Sequence, residues 1–264
     1  MEYVLLYTTG TDPQPYDPAA DNIGEWVDDV IASGISEWGE RLRPGLDATT
    51  VQVRDGRTLA TEGPFSEARE WVGGFDVIQC DHLDEAIKAA AGHPAARTGT
   101  VEVRPFVPGR SPGATVVPDG FHLVEPAGTR YLMMVCVDPD GPGEPADDVE
   151  GWVQDLDTRG VRLWGEALQP PDLTTLVRSR QGRTLVDAPP PADGIWIAGL
   201  DLIETESLTD AINAAAAHPM AKTGLIVLTP VWTFDPNEDH VARSEREEAD
   251  WNARSEPSVA VPGA

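Results

Sequence analysis

The chain has 264 residues, 41% of them hydrophobic, which is long for one core and natural for two domains that each have enough apolar material to fold. Its formal net charge of −26 argues against nucleic acid as a partner, because phosphate binding needs Lys and Arg, and it favours solubility. No run of 18 apolar residues and no signal-peptide pattern is present, so we expect a cytoplasmic protein without a membrane span.

The predicted elements of the first half alternate strands and helices. In chain order they are a strand over 3–8, a helix over 21–33, a strand over 36–42, a hairpin over 50–60, a strand over 74–80, a second helix with Asp81 as a possible N-cap and Leu83, Ile87 and Ala90 on one face, and a strand over 99–106. The first helix is indicated by apolar residues that share one face, among them Trp26 and Val30. The hairpin turns at Asp55-Gly56, a favoured pair for a two-residue turn.

The order β-α-β-hairpin-β-α-β predicts an α+β domain of the ferredoxin-like plan, with both helices on one face of the sheet. The other face of such a sheet is apolar and must be covered. The chain supplies a cover, because its sequence blocks recur at an offset of about 125–128 residues. Trp38-Gly39-Glu40 recurs as Trp164-Gly165-Glu166, Gly56-Arg57-Thr58-Leu59 as Gly182-Arg183-Thr184-Leu185, and His93-Pro94 as His218-Pro219.

We therefore predict a tandem duplication whose two copies pack sheet to sheet. The first domain spans 1–106, a Pro- and Gly-rich linker 107–128, a diverged second domain 129–234, and an acidic, partly disordered tail 235–264. Cys80 and Cys136 lie in apolar strand-like segments, which predicts buried, reduced thiols.

The first candidates for chemistry are two carboxylates that hold the same place in both copies. Glu40 and Glu166 each follow a tryptophan, Trp38 or Trp164, by two residues. A half-buried carboxylate beside an indole can have a raised pKa and act as a general acid or base. The alternative is a strand-edge carboxylate paired with a base, and the tryptophans either line a pocket or fill the core between the sheets.

A second pair of candidates is His93 and His218, which both end the second helix of their copy. A histidine there either interacts with the helix dipole or serves as a base in a pocket. Arg97 and Lys222 follow in matching positions and either hold an anionic substrate or pair with nearby carboxylates. No histidine–carboxylate spacing indicates a metal site, and no motif indicates a cofactor.

Several blocks of the first half resemble the YCII-related family and, within it, the DGPF subgroup. They include Gly39-Glu40-Arg41-Leu42-Arg43-Pro44, Val53-Arg54-Asp55-Gly56, Thr61-Glu62-Gly63-Pro64-Phe65 and Gly73-Gly74-Phe75. The second copy keeps the first of these blocks in part but has a proline run, Pro189-Pro190-Pro191, in place of the Glu62–Phe65 turn.

The resemblance implies a dimeric α+β barrel, here built inside one chain, with a small pocket between sheet and helices in each half. It places Glu62 and Phe65 near the pocket. Relatives of this family include a cofactor-free dehydrochlorinase with a His–Asp pair whose histidine begins the first helix. Here that stretch reads Asp21-Asn22-Ile23-Gly24-Glu25-Trp26 and has no histidine. Members of the subgroup tend to be encoded beside extracytoplasmic-function sigma factors.

Two functional interpretations stay open. The first is a small-molecule-binding protein that acts as a cofactor-free lyase, isomerase or dehydratase through a pocket carboxylate. The second is a non-catalytic regulatory or partner-binding module associated with an extracytoplasmic-function sigma factor. In either case we expect a monomer or weak homodimer with an internal pseudo-dimer, and one working site, in the first half.

Overall fold

The computed structural model describes residues 1–8, 22–63, 71–109, 126–143, 149–189 and 194–232. In the first half the elements are β1 (Glu2–Thr8), α1 (Ile23–Ala32), β2 (Ser36–Arg41), β3 (Thr49–Arg54), β4 (Arg57–Glu62), β5 (Val72–Gln79), α2 (Leu83–Gly92), α3 (Ala95–Thr98) and β6 (Thr100–Pro105). In the second half they are β7 (Thr129–Val137), α4 (Val149–Thr158), β8 (Arg162–Ala167), β9 (Thr175–Arg180), β10 (Arg183–Asp187), β11 (Trp196–Thr205), α5 (Leu208–Ala217) and β12 (Leu225–Pro230).

The strands form two antiparallel sheets of six. The first sheet has the order β10-β9-β6-β1-β5-β2, and the second sheet has the order β4-β3-β12-β7-β11-β8. The four strands β6-β1-β5-β2 come from the first half and are arranged as in a ferredoxin-like domain. The predicted α+β class is confirmed, and the predicted strands and helices of the first half are present within a few residues of their expected bounds.

Each hairpin lies in the sheet of the other half, an exchange that the sequence does not predict. The β9–β10 hairpin of the second half extends the first sheet, where Val177 of β9 faces Val101 of β6. The β3–β4 hairpin of the first half extends the second sheet, where Val51 of β3 faces Ile226 of β12. Both hairpin valines are fully buried in the core of the sheet that they join.

One arginine anchors each exchanged hairpin in the same way. Arg54, at the end of β3, donates to the carbonyl oxygens of Ala221, Lys222 and Gly224 over 2.9–3.1 Å. Arg180, at the end of β9, donates to those of Ala96, Arg97 and Gly99 over 2.7–3.1 Å. These carbonyls lie in or just after the last helical turn of the opposite half, so each guanidinium satisfies backbone acceptors that the helix end leaves open.

The hydrophobic residues form three clusters. One lies between the two sheets and contains residues of both, including Phe75, Phe106 and Trp164. The other two lie between each sheet and its helices. Trp38 packs against the inter-sheet cluster, with its ring 5.0 Å from that of Trp164, so both tryptophans fill the core between the sheets. Cys80 and Cys136 are buried, as predicted.

The two sheets are linked only by two isolated bridges among the described residues and remain separate ladders. Single bridges link Leu42 to Val231 and Phe106 to Leu168, beyond the ends of the named strands. The strand order therefore gives two open sheets and not one closed cylinder. Within the described residues no helix is long and apolar enough to cross a membrane. The predictions that concern Phe65, residues 110–125 of the linker and the tail over 235–264 fall outside the described residues.

Candidate functional site

The candidate site, which we call the first cleft, is the buried region between the first sheet and its helices. It is built on Asp76, the only acidic residue in β5. Phe75 and Val77 point into the inter-sheet core, so strand alternation turns Asp76 to the helix side. Gly39 of β2 faces it, and a Cβ atom at that position would stand 2.0 Å from Oδ1 of Asp76. Only glycine leaves room for this carboxyl group.

Two aromatic rings, those of Tyr7 and His93, lie at the carboxyl group, and Trp26 packs behind His93. The Tyr7 hydroxyl donates a hydrogen bond to Oδ2 of Asp76, and Nε2 of His93 lies 4.0 Å from the same oxygen. The His93 ring stacks on Tyr7 with centroids 3.9 Å apart and meets the edge of Trp26 at 4.6 Å. Trp26 is held in place because its indole N–H donates to the carbonyl of Ala89 over 2.8 Å.

The hydrogen bonds of His93 determine its tautomer. Nδ1 accepts the backbone N–H of Ala95 over 3.0 Å, so the proton of the neutral ring is on Nε2, the nitrogen that faces Asp76. Burial, reinforced by the charge of Arg97, lowers the pKa of His93 to about 3. Burial raises the pKa of Asp76 well above its usual range. The site therefore pairs a carboxyl group whose burial favours the protonated form with an imidazole that is uncharged at neutral pH.

This result changes the interpretation of the two helix-end histidines. His93 and His218 do follow their helices, but they are 8% and 2% exposed and uncharged, so neither acts as a cation on the helix dipole. The first-helix histidine implied by the family resemblance is absent, yet the fold brings together another His–Asp pair, His93 and Asp76.

The second half keeps the histidine and the aspartate but adds a cation. Nε of Arg162 is 2.6 Å from Oδ1 of Asp201, and another nitrogen of the same guanidinium donates to the carbonyl of Gly165. The place of Tyr7 is taken by Val135, since Tyr7 pairs with Gly74 and Val135 with the equivalent Gly199. Asp201 thus has an ionic partner in place of a phenol.

The pKa values in the second half reflect the presence of Arg162 in place of a phenol. Burial raises the pKa of Asp201 to about 6, and Arg162 opposes that rise. Burial, together with the charge of Arg162, lowers the pKa of His218 to about 4. At neutral pH Asp201 is an ion-paired carboxylate, whereas burial without such an ion pair favours the protonated form of Asp76. The two clefts are alike in backbone but differ in the partner of the aspartate.

Glu40 and Glu166, the predicted catalytic carboxylates, lie on the other side of their sheets. Glu40 is two residues from Trp38 and pairs across the sheet with Phe75, so it faces the inter-sheet space, away from Asp76. Burial raises the pKa of Glu40 to about 7, and the charge of Arg130 opposes the rise. Glu166 is placed likewise, two residues from Trp164.

The remaining predicted residues are dispersed. Arg97 lies near His93, and its guanidinium donates to Oδ1 of Asn22 over 2.9 Å. Lys222 is exposed after the short turn that follows α5. Glu62 is exposed at the end of β4, in the hairpin that belongs to the second sheet. Of the predicted set, the structure therefore places His93 and Arg97 at the first cleft.

Sequence reasoning missed Asp76 and Tyr7. The signal for Asp76 was available, because a single acidic residue interrupts the apolar run Phe75-Asp76-Val77-Ile78 and recurs in Leu200-Asp201-Leu202-Ile203. Such residues are rarely buried without a partner. Tyr7 carries no comparable signal, since a tyrosine in a strand is common.

A separate surface hollow of about 280 Å³ lies beyond the end of β5. It is lined by residues that include Ser33, Gln79 and Glu85, and none of Tyr7, Asp76 and His93 borders it. The Glu85 carboxylate there already accepts the backbone N–H groups of residues 81 and 82. Within the described residues, no group of three or more His, Cys, Asp or Glu side chains is arranged to hold a metal ion. The buried Asp76–His93 pair therefore lies apart from this hollow.

Comparison with known proteins finds a family match in the first half of the chain. Residues 1–109 match the YCII-related domain. The matched range contains β1 to β6, and with them the Asp76–His93 pair and Arg97. The chain is also similar to an uncharacterized protein of Rhizobium meliloti (strain 1021), with 40% identity over 77 residues. That alignment covers 27% of this chain and 62% of the relative, so it spans less than two thirds of the relative's length.

Proposed function

We propose that this protein is a cofactor-free lyase, isomerase or dehydratase that transfers a proton through Asp76 in the cleft of the YCII-related domain. The observation that carries the proposal is the difference between the two clefts. Asp76 is buried with a phenol and a neutral imidazole, whereas its counterpart Asp201 is neutralised by Arg162. Perturbed titratable groups that converge in a cleft are typical of sites for acid–base chemistry.

In this proposal Asp76 is the general acid, because its burial raises its pKa and so favours the protonated form that a general acid needs. In an elimination, its proton goes to the leaving oxygen as the carbon–oxygen bond breaks. The resulting carboxylate then takes the proton from the neighbouring carbon, a double bond forms, and water leaves with Asp76 restored. The Tyr7 hydroxyl and the Nε2–H of His93 face the carboxylate and stabilise it while it carries the charge.

Arg97 defines the class of substrate in this proposal. It is the cation whose field acts on His93, and its hydrogen bond to Asn22 ties it to the start of α1. A guanidinium next to two uncharged acid–base groups suits a substrate with a carboxylate or another oxyanion. We therefore propose a small organic anion that loses or shifts a proton near its charged end.

The architecture belongs to the same proposal. We infer two diverged copies of one DGPF-type domain that pack sheet to sheet as an intramolecular pseudo-dimer with two open sheets. The repeated element order, the exchanged hairpins with their matching arginines, and the two bridges between the sheets support this. In this arrangement the second half completes the fold of the first, because Val177 and Arg180 stabilise the sheet and the turn next to the site.

The test uses the two equivalent aspartates as a matched pair. Wild type, Asp76→Asn and Asp201→Asn are incubated in D₂O with a panel of 2-hydroxy, 3-hydroxy and 3-halo carboxylic acids. NMR follows deuterium incorporation, alkene formation and halide release. We expect turnover in wild type and Asp201→Asn, and a loss of at least about 100-fold in Asp76→Asn, the scale of general acid–base catalysis.

The result also separates the two functional interpretations. Equal turnover in Asp76→Asn and wild type contradicts the proposed role of Asp76. If ligands shift the fluorescence of Trp26 but no panel member reacts, the non-catalytic binding module is favoured. That outcome refutes the enzyme proposal for this class of acids.

A further inference from the structure

The outer edge of β10 is an exposed strand with an apolar centre. β10 ends the first sheet, and no strand of the described residues pairs with its outer edge. All of its residues are exposed, and Leu185 and Val186 at the centre are 40% and 50% exposed. An exposed edge with apolar side chains is a template for another strand.

The hairpin turn determines which backbone groups point outward. Gln181 and Gly182 both have positive φ angles, 53° and 72°, as in a two-residue type I′ turn. The flanking residues Arg180 and Arg183 then form the first hydrogen-bonded pair of the hairpin. Alternation directs the N–H and C=O groups of Thr184 and Val186 away from β9. These are the groups that a further strand would bind.

We propose that β10 pairs with β10 of a second copy of this chain, antiparallel about a two-fold axis. The register that joins Thr184 to Val186 of the second copy uses every outward group of the strand. In that register Leu185 of one copy faces Leu185 of the other. Arg183 of each copy faces Asp187 of the other copy. An isologous contact needs this self-complementarity, and opposite charges and apolar pairs across a ladder stabilise it.

Asp187 is already in an ion pair with Arg178 of its own chain, at 2.5 Å, but this does not exclude the contact. Both partners are about half exposed, at 41% and 52% of their side chains. Exposed pairs contribute little, and one carboxylate can accept hydrogen bonds from two guanidinium groups.

The equivalent strand of the first half provides a matched control. β4 follows the same kind of turn, since Asp55 and Gly56 have φ angles of 52° and 70°. The register that would join two β4 strands places Arg57 opposite Thr61, so the charge pairs are missing. Leu59 is 46% exposed and takes the place of Leu185. β4 therefore has the geometry of β10 without its complementary charges. We infer that β10, and not β4, is the edge that associates.

The expected dimer is weak, because one short strand buries well under about 1,200 Å², the range of transient contacts. Sedimentation equilibrium of the full chain from low micromolar to millimolar concentration, at about 0.15 M salt to screen the net charge, measures it. We expect a monomer–dimer equilibrium in wild type. Leu185→Lys, which sets two ammonium groups face to face, should raise the dissociation constant at least tenfold, and Leu59→Lys should leave it unchanged.

Charge exchange tests the register. Arg183→Asp and Asp187→Arg each create like-charge pairs and should weaken the dimer, whereas the double variant restores opposite charges and should recover it. In addition, Leu185→Cys should form a disulfide-linked dimer on mild oxidation, because facing residues of a non-hydrogen-bonded pair lie about 4.5 Å apart at Cα. The native cysteines are buried.

Three results overturn the proposal. They are a wild type that is monomeric over the whole concentration range, a Leu59→Lys variant that disrupts association as much as Leu185→Lys, and a double charge exchange that fails to restore a dimer that both single variants weaken. The substituted residues lie on the exposed edge, so we expect every variant to fold. Far-ultraviolet circular dichroism checks this. The test does not depend on turnover at Asp76.

Discussion

Replacement of Glu40 by glutamine should stabilise the protein, and most strongly at alkaline pH. Glu40 faces the inter-sheet space, and its burial raises its pKa from 4.5 to about 7. A carboxyl group whose pKa is higher in the folded state is protonated more readily there than in the unfolded chain. Below pH 4.5 this group therefore does not affect the free energy of unfolding. Between pH 4.5 and pH 7 the free energy of unfolding falls as the pH rises, and above pH 7 the full destabilisation by the buried carboxylate is present.

The size of the effect follows from the shift in pKa. A difference of about 2.5 units corresponds to about 3 kcal/mol at 1.36 kcal/mol per unit. Glutamine has nearly the same shape and no charge, so Glu40→Gln should raise the free energy of unfolding by up to about 3 kcal/mol at pH 8. For a chain of this size that is roughly 6–12 °C in melting temperature. At pH 4 the variant and wild type should melt together.

The assay is urea unfolding of Glu40→Gln and wild type at pH 4, 6 and 8. Glu62→Gln, on an exposed strand, controls for the loss of one negative charge. A variant that is less stable than wild type at pH 8 refutes the reasoning, since it means that the Glu40 carboxylate is well paired, with Arg130 as the partner at hand. The same variant tests the sequence-based prediction for Glu40, because unchanged turnover rules out this residue as the proton-transfer group.

Three further substitutions probe the fold and the two clefts. Arg162→Met leaves Asp201 buried without its cation and should cost about 3–5 kcal/mol in urea unfolding at pH 8, with a smaller loss at pH 5, where the aspartate takes up a proton. Arg54→Ala and Arg180→Ala should each cost about 2–3 kcal/mol, and their losses should add, because each removes a separate hairpin anchor. Gly39→Ala should lower stability by about 1–3 kcal/mol and abolish any turnover, because the new methyl group displaces the carboxyl group that it faces.

The elements of the fold were largely predictable because their signals are local. The Asp55-Gly56 turn and the apolar face of α1 each follow from a few neighbouring residues. The exchange of hairpins was not predictable, because a strand such as β3 offers the same backbone groups to β6 or to β12. Both acceptor strands present buried valines or isoleucines, so hydrophobic alternation does not distinguish them.

The site was predictable only in part for a similar reason. Repetition in both copies singled out Glu40 and His93, but repetition marks residues of the scaffold as well as residues of the site. What separates Asp76 from Glu40 is the face of the sheet, and this follows from the two-residue period once the partners of Phe75 are known. The difference that matters most is that an arginine pairs with Asp201, whereas no ion pair of a described arginine with Asp76 is present. It depends on a long side chain, that of Arg162, reaching Asp201 from a neighbouring strand.

The central claim is that Asp76 retains its proton at neutral pH while Asp201 does not. The most direct measurement is a pH titration by NMR of the protein with ¹³C-labelled aspartate carboxyl groups, compared with Asp76→Asn and Asp201→Asn. We expect one resonance with the shift of a protonated carboxyl group at pH 7, which is lost in Asp76→Asn and retained in Asp201→Asn. A spectrum in which the Asp76 resonance is already that of a carboxylate at pH 6 contradicts the account.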